Sequence, residues 1–278
     1  MAIVMDGKLV SNSIRTKIKE QIAALPLRKP KLATILIGND ESAKVYIRNK
    51  EKACFEVGIL SVQINLPEES TNRVVCQTIA QLNNDSSVDG ILIQMPLPRA
   101  FPTEDIIRTI SPDKDVDCLN PVNLGLLCSG HAIFTPNTPQ SVLSLLDFYQ
   151  ISLQGKKAVV IGRSNIVGKP VSLLLLDRHA TVTICHSKTI DLPSVAREAD
   201  ILVVAIGKAS MVNQDFVKPG AVVCDVGINY VDGKIKGDVE YESVFPLVSY
   251  ISPVPGGIGS LTTTLLLNNT LKAFHLHQ

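Results

Sequence analysis

The sequence contains no tryptophan, and its aromatic residues amount to only 4% and are scattered. Few flat rings are therefore present on which nucleic-acid bases could stack. An excess of charge of either sign is also lacking, because 27 basic residues stand against 26 acidic ones and leave a formal net charge of +1. This balance gives no electrostatic reason to expect binding to nucleic acid or to an anionic membrane.

No apolar run is long enough to span a bilayer. Segment 1–20 carries an early acid and too short an apolar run for a signal peptide, so we expect a cytoplasmic protein. The cysteines form no C-x-x-C pair and have no histidine at metal-ligand spacing. We therefore predict no metal site, and we interpret the cysteines as core thiols rather than a zinc or disulfide framework. They are Cys54, Cys76, Cys118, Cys128, Cys185 and Cys224.

Short apolar runs alternate with amphipathic segments along most of the chain. A first series predicts strands at 31–38, 60–66 and 90–96, with helices at 42–57 and 71–83 between them. A second series predicts strands at 157–162, 180–185, 200–207 and 221–227. This alternation is typical of an α/β fold in which parallel sheets are flanked by helices. We predict two such lobes, the second of them a Rossmann-type dinucleotide-binding domain.

The proline-rich segment 111–140 has no clear strand and separates the two series. We therefore predict a first domain at 1–137 and a second at 138–257, which begins with a helix at 138–150. Segment 258–278 follows a proline–glycine turn and has helical periodicity. We expect this terminal helix to pack back on the first domain and to leave a cleft between the lobes.

The stretch "AVVIGRSNIVGKPV" (158–171) is typical of a dinucleotide-binding turn, although Ser164 replaces the usual middle glycine. A strand ending at Gly162 and a helix starting near Val167 would present free N–H groups to a pyrophosphate. Gly168 would allow close packing of helix and strand, and Ser164 would add a hydroxyl donor. An ordinary strand–helix connection explains the turn equally well in isolation. Its place at the start of the second series favours a dinucleotide site.

The strand after this turn does not end in the acid that binds the ribose hydroxyls of NAD. His186, Ser187 and Lys188 stand there instead, and Arg163 in the turn points to the same edge. A hydroxyl and cations would favour a 2′-phosphate, so we predict NADP rather than NAD. The alternative is that His186 and Lys188 are solvated loop residues.

Lys50 lies in the middle of an apolar helical face. Ser42 is the predicted helix cap, and Gly58 suits the position after the last turn. The lysine could extend its amine out of the core. It could instead point into a cleft, where desolvation would lower its pKa and make it useful as a base. The other members of the face are Ala43, Tyr46, Ile47, Ala53, Cys54 and Val57.

A set of motifs along nearly the whole chain resembles one known family, the bifunctional methylenetetrahydrofolate dehydrogenase/methenyltetrahydrofolate cyclohydrolases. The motifs are "VYIRNKEKA", "DGILIQMPLP", "PDKDVD", "VVIGRSNIVGKP", "TVTICHSKT", "DVGIN" and "PVPGGIG". The resemblance implies oxidation of 5,10-methylenetetrahydrofolate with NADP and hydrolysis of the methenyl product to 10-formyltetrahydrofolate. It also implies a homodimer in one-carbon metabolism and purine biosynthesis.

The resemblance further implies roles for individual residues. Lys50 would be the catalytic lysine, and Gln94 would hydrogen-bond and tune it. Tyr46 would stack on the folate, and Asp117 would hold the amino-pyrimidine edge of the pterin. Besides the glycine turn at 162–164, NADP would contact Ser187 and Ile228. A tight turn bordering the cleft would comprise Pro255, Gly256 and Gly257.

Several residues depart from the family pattern near these positions, and they leave two alternatives open. One is a dehydrogenase with weak or absent cyclohydrolase activity, and the other is a non-catalytic NADP-sensing protein on the same scaffold. The catalytic set itself is retained. The departures are Ala43, Cys118, Leu126, Asn137 and Ser260.

Overall fold

The computed structural model describes residues 2–278, with the side chain of Ser42 left aside. The chain divides into two compact units. The six-stranded unit comprises the residues up to Asn12 together with Pro136–Thr262, and the three-stranded unit comprises Ser13–Thr135 together with Thr263–Gln278. Residues 2–12 were expected with the first domain, but the structure groups them with residues of the second.

The described residues form eleven strands and ten α-helices. The strands are β1 (Ile3–Val4), β2 (Lys31–Ile37), β3 (Leu60–Leu66), β4 (Gly90–Ile93), β5 (Lys157–Ile161), β6 (Thr181–Cys185), β7 (Ile201–Val204), β8 (Val222–Asp225), β9 (Asn229–Val231), β10 (Lys234–Lys236) and β11 (Tyr250–Ile251). The helices are α1 (Gly7–Ala23), α2 (Glu41–Val57), α3 (Asn72–Asn84), α4 (Thr103–Thr109), α5 (Pro121–Cys128), α6 (Asn137–Phe148), α7 (Gly168–Asp177), α8 (Leu192–Arg197), α9 (Tyr241–Val244) and α10 (Thr262–Leu276).

The sheet of the six-stranded unit is parallel throughout, in the order β1-β11-β8-β7-β5-β6. Strand β5 pairs with β6 on one side and with β7 on the other, so the strand order reverses at β5. In open α/β sheets, ligands bind beyond the carboxyl ends of the strands at such a reversal. The order of the strands therefore places a candidate site where β5, β6 and β7 end.

The three-stranded unit has a parallel sheet in the order β3-β2-β4. Its central strand is buried in six of seven positions, which matches a continuous apolar run covered on both faces. Helix α10 supplies Leu266, Leu267, Leu271 and Phe274 to the core of this unit. The predicted α/β class, with parallel sheets flanked by helices, is confirmed.

Helix α2 begins one residue before the predicted start. Its cap is Asp40, whose carboxylate accepts a hydrogen bond from the Ala43 amide at 2.9 Å. The predicted cap Ser42 is thus inside the helix, and its side chain lies outside the described part. The predicted terminating residue is confirmed: Gly58 has φ +89°, and its amide donates to the carbonyls of Cys54 and Phe55.

Segment 111–140 contains a short helix, α5, that the sequence did not predict. Asn120 caps it by accepting a hydrogen bond from the Val122 amide at 2.9 Å, and Pro121 occupies its first position. Proline is well suited there because its missing N–H would have no partner in a first helical turn. Pro121, one of the prolines of the segment that separates the two predicted series, therefore begins a helix.

The six cysteines are free thiols, and Cys54, Cys118, Cys185 and Cys224 are buried as predicted. Burial raises the pKa of Cys54 to about 12, so this thiol stays protonated at neutral pH. Cys128 is exposed, so its assignment to the core was wrong. None of the helices described is both long and apolar enough to cross a membrane.

Candidate functional site

Lys50 meets Gln94 in the three-stranded unit. The lysine is on α2, and the glutamine directly follows β4, the strand that pairs with the central strand of the sheet. Lys50 Nζ donates to Gln94 Oε1 at 2.8 Å, and Gln94 Nε2 donates to the Met95 carbonyl at 2.8 Å. Because the amide nitrogen is committed to a carbonyl, the amide oxygen is held toward the lysine.

Burial lowers the pKa of Lys50, and the negative charge of Asp117 works in the opposite direction without cancelling the effect. Gln94 orients the amine but adds no charge to hold its proton. A primary amine in this setting can exchange a proton more readily than a surface lysine at neutral pH. The side chain of Lys50 is largely buried. The structure therefore disagrees with the interpretation that the lysine extends its amine out of the core.

The segment that carries Asp117 is held by a second acid, Asp115. This carboxylate is 1% exposed and accepts hydrogen bonds from the backbone amides of Leu119 and Asn120 and from Asn123 Nδ2. Burial raises the pKa of Asp115, although these donors oppose the rise. The sequence predicted a role for Asp117 of the "DKDVD" motif but none for Asp115. The signal that could have identified Asp115 was its position two residues before Asp117 in the same motif.

Cys118 occupies a backbone conformation that normally favours glycine. It has φ +56° and is fully buried, with its Sγ donating to the Phe134 carbonyl at 3.3 Å. Left-handed backbone at a non-glycine residue costs of order 1 kcal/mol. The turn beside Asp117 requires a positive φ, which glycine adopts without this cost.

Tyr46 lies one helical turn before Lys50 and is 48% exposed. The other predicted members of its apolar face, namely Ala43, Ile47, Ala53, Cys54 and Val57, are all buried. A half-exposed ring beside a buried amine offers a flat apolar surface to a ligand.

A cavity of about 420 Å³ lies in the six-stranded unit at the carboxyl ends of β5, β6 and β7. This is the reversal point of the sheet. Four residues predicted to bind the cofactor line this cavity together, namely Gly162, Arg163, Ser164 and Ser187. His186 lines it as well, whereas Lys188, Gly168 and Ile228 are not among its lining residues.

The two turn glycines are required for steric reasons. Gly162 has φ +130°, and a Cβ there would lie 2.2 Å from the Ala205 carbonyl oxygen. A Cβ at Gly168 would lie 2.3 Å from the Gly162 carbonyl oxygen. Because Gly168 has no side chain, the start of α7 can pack directly against the backbone of Gly162. This is the close contact of helix and strand that the sequence predicted.

Ser164 uses its hydroxyl differently from the prediction. Its Oγ accepts hydrogen bonds from the backbone amides of Val167 and Gly168, at 3.2 and 3.3 Å. These two N–H groups at the start of α7 were expected to face a pyrophosphate, but they are bonded within the turn. The serine hydrogen remains available for donation, because both bonds use the oxygen as acceptor.

Two basic side chains, Arg163 and Lys208, line the cavity, and no carboxylate does. Among residues 2–278, neither side chain has a hydrogen-bond or ion-pair partner. An arginine and a lysine without acidic partners suit an anionic ligand. The lining therefore fits NADP. Sequence reasoning missed Lys208, and the available signal was its position just after the strand "DILVVAIG".

Pro255, Gly256 and Gly257 lie in the six-stranded unit, shortly after β11. The Gly7 amide donates to the Gly256 carbonyl at 2.9 Å, and a Cβ at Gly7 would lie 2.0 Å from the Gly257 carbonyl oxygen. The glycine turn thus packs directly against the beginning of α1. Ile228, which follows β8, is 53% exposed.

Family models match both parts of the chain. The tetrahydrofolate dehydrogenase/cyclohydrolase catalytic domain matches residues 5–117, and the NAD(P)-binding domain of the same family matches residues 136–278. The chain belongs to the tetrahydrofolate dehydrogenase/cyclohydrolase family. The resemblance that the sequence motifs carried is thereby confirmed, as is the NAD(P)-binding character of the second half.

Individual members of the tetrahydrofolate dehydrogenase/cyclohydrolase family match almost end to end. The bifunctional protein FolD of Exiguobacterium sibiricum is 49% identical over 275 residues, which cover 98% of this chain and 99% of the relative. The bifunctional FolD methylenetetrahydrofolate dehydrogenase/cyclohydrolase of Campylobacter jejuni is 42% identical, with a TM-score of 0.96 and 100% of both chains covered. The Trypanosoma brucei FolD, solved with NADP and an inhibitor, is 35% identical with a TM-score of 0.93, and 99% of this chain and 98% of that chain are covered.

Proposed function

We propose that the protein oxidises 5,10-methylenetetrahydrofolate with NADP and then hydrolyses the methenyl product to 10-formyltetrahydrofolate. The observation that carries the proposal is the Lys50–Gln94 pair, a largely buried lysine side chain whose amine is bonded to an uncharged amide at 2.8 Å. A dehydrogenase alone requires no such amine, because hydride transfer depends chiefly on alignment of the two reactants. Family membership and the basic cavity at the sheet reversal support the choice of reaction and cofactor.

Bound NADP would supply the hydride acceptor of the oxidation. Gly162 keeps the turn free of a side chain where the dinucleotide approaches, and Gly168 permits the close packing of helix and strand beneath it. Ser164 and Ser187 offer hydroxyls to the dinucleotide. Arg163 provides positive charge for the 2′-phosphate, which is absent from NAD. Together these residues bind and orient the cofactor.

Hydrolysis is the step that calls on Lys50. Water adds to the methenyl carbon and its oxygen becomes the formyl carbonyl, so both protons leave the water. One proton has to reach the ring nitrogen that departs from that carbon, and the other is released to solvent. In our proposal Lys50 accepts the first proton in its neutral form and returns a proton as the carbon–nitrogen bond breaks. Its lowered pKa makes the neutral form more populated than it would be for an exposed lysine at the same pH.

The remaining site residues hold the folate. Asp117 accepts hydrogen bonds from the amino-pyrimidine edge of the pterin, because a carboxylate accepts paired donors well. Tyr46 stacks its exposed ring on the ligand. We propose that the turn at 255–257 contributes to folate binding as well.

The test is Lys50→Gln assayed in both half-reactions. We expect hydrolysis of methenyltetrahydrofolate to fall by at least about 100-fold, the usual scale for loss of a general acid–base group, and oxidation to fall less. Lys52→Gln is the matched control, because Lys52 is exposed on the same helix. Small and equal effects of Lys50→Gln on the two reactions would contradict the proposed role.

The two alternatives give different results with the unchanged protein. A dehydrogenase without cyclohydrolase activity would accumulate the methenyl product in a coupled absorbance assay. A non-catalytic NADP sensor would bind NADP but would not turn over methylenetetrahydrofolate. Our proposal requires oxidation followed by disappearance of the methenyl absorbance.

We also propose that the protein acts as a cytoplasmic homodimer and supplies one-carbon units to pathways that include purine biosynthesis. This proposal is supported by the family resemblance. Light scattering coupled to size-exclusion chromatography would test the assembly, and a mass of about 30 kDa, that of one chain, would contradict it.

A further inference from the structure

One buried carboxylate in the six-stranded unit is surrounded by hydrogen-bond donors. Asp238 is 0% exposed. Its Oδ2 accepts from the backbone amides of Ile206 and Gly207 at 2.7 and 2.9 Å. Its Oδ1 accepts from the Lys208 amide at 2.8 Å and from Asn229 Nδ2 at 2.9 Å. All four donors are satisfied by a single side chain, which explains how a charged group is tolerated there.

Three of these donors are consecutive backbone amides, and they belong to the turn after β7 that forms one wall of the dinucleotide cavity. Consecutive N–H groups of this kind form a concave anion-binding site, and here the protein fills that site with its own carboxylate. Asp238 is held in turn by Asp225, which accepts hydrogen bonds from the Asp238 and Val239 amides at 3.0 Å each. The shape of the turn is therefore determined by buried groups.

Lys208 is the basic residue of this turn. Its backbone amide is bonded to Asp238, while its side chain is exposed and lines the cavity. The Asp238 carboxylate is committed to amides, and it leaves the Lys208 ammonium unneutralised. The Lys208 ammonium therefore lies at the same cavity as Arg163. The hydrogen bond to Asp238 fixes the lysine backbone, and the positive charge of its side chain remains available to a ligand.

We propose that Lys208 binds a phosphate group of the dinucleotide and that Asp238 is the positioning residue that sets the turn for it. The inference rests on the proposed dinucleotide function and adds a second cation to Arg163. Two phosphate groups could fill this role: the 2′-phosphate of NADP, or the diphosphate that NADP and NAD have in common.

The first experiment measures dissociation constants of NADP and NAD by calorimetry for the unchanged protein, Lys208→Gln and Lys234→Gln. We expect Lys208→Gln to weaken NADP binding by about 5- to 20-fold, the scale of one partly exposed charge-assisted hydrogen bond. Lys234 is exposed on β10 and controls for the loss of one positive charge. We expect Lys234→Gln to change NADP binding less than about twofold, as for a screened distant charge.

Comparison of the two dinucleotides identifies the phosphate. Weaker binding of NADP with unchanged binding of NAD would assign Lys208 to the 2′-phosphate. Equal weakening of both would assign it to the diphosphate. An effect of Lys208→Gln no larger than that of Lys234→Gln would overturn the inference. If the unchanged protein bound neither dinucleotide, the proposed function itself would fail, so the two failures are distinguishable.

A double-mutant cycle tests the positioning role of Asp238. Asp238→Asn replaces one acceptor oxygen by an N–H donor and should weaken NADP binding as well as stability. If Asp238 acts through Lys208, the added effect of Asp238→Asn on the NADP dissociation constant should largely vanish in a Lys208→Gln background. Fully additive effects on binding would show a merely structural role and contradict the positioning role. If Asp238→Asn does not fold, Lys208→Gln, an exposed change, still tests the phosphate contact.

Discussion

Replacement of Gln94 by glutamate would place a negative charge in direct contact with the proposed catalytic amine. Lys50 Nζ and Gln94 Oε1 are 2.8 Å apart, so the new carboxylate could take the place of the amide oxygen with little movement. An uncharged acceptor leaves the lysine able to lose its proton, whereas a carboxylate would stabilise the ammonium form. The pKa of Lys50, lowered by burial in the unchanged protein, should therefore rise in Gln94→Glu.

The size of this rise follows from Coulomb's law. Two unit charges about 4 Å apart attract by roughly 4 kcal/mol at an effective dielectric constant of about 20. If about half of this attraction is retained in a site open to a substrate, the ammonium form of Lys50 is stabilised by about 2 kcal/mol. This stabilisation raises the pKa of Lys50 by about 1.5. The neutral fraction of Lys50 at a pH below its pKa would then fall about 30-fold.

The assay is the pH profile of methenyltetrahydrofolate hydrolysis, followed by loss of the methenyl absorbance. The activity of Gln94→Glu should rise at a pH about 1.5 units higher than that of the unchanged protein, because the ammonium form of Lys50 is stabilised by the carboxylate. Gln77→Glu is the matched control, because Gln77 is exposed on α3 and the change in charge is the same. An unshifted profile with an equal loss of rate at every pH would refute the argument that the proton on Lys50 limits hydrolysis.

Two further changes test the structural reasoning. Gly162→Ala would bring a methyl group to within 2.2 Å of the Ala205 carbonyl oxygen, so we expect NADP binding measured by calorimetry to be largely lost, and retained affinity would contradict the steric argument. Arg28→Met would remove both 2.8 Å bonds from Arg28 to the fully buried carboxylate of Asp89, so we expect the free energy of unfolding in urea to fall by about 2–4 kcal/mol. A loss below about 0.5 kcal/mol would show that the pair behaves like a surface ion pair.

The helical face around Lys50 could be predicted from sequence because side-chain direction in a helix follows from a fixed angle per residue. Periodicity does not tell what covers a face, so it could not predict that Tyr46 is 48% exposed while the other apolar residues of the face are buried. The Lys50–Gln94 contact joins residues 44 positions apart, and local pattern contains no information on such a contact. The resemblance to a family named both residues, but only the fold shows them bonded.

The dinucleotide turn was predicted for a similar reason, since glycine spacing reflects a local steric requirement that Gly162 and Gly168 satisfy. The partners of the Ser164 hydroxyl could not be predicted, because a serine can cap its own helix or face a ligand with the same sequence around it. Lys208 escaped notice because its significance depends on Asp238, which lies 30 residues later and meets it only in the folded unit. Strand β1 has two residues, too few for any periodicity.

The pairing of β1 with β11 has a consequence for the order in which the protein can form during synthesis. Ile3 pairs with Tyr250, so β1 cannot pair until β11, the last of the described strands, has been synthesised. The three-stranded unit also waits, because its core includes Leu266, Leu267 and Phe274. Neither unit can be completed from a contiguous nascent segment, and contacts of such long range form slowly. We therefore expect the last stage of folding to wait until β11 and α10 have been synthesised.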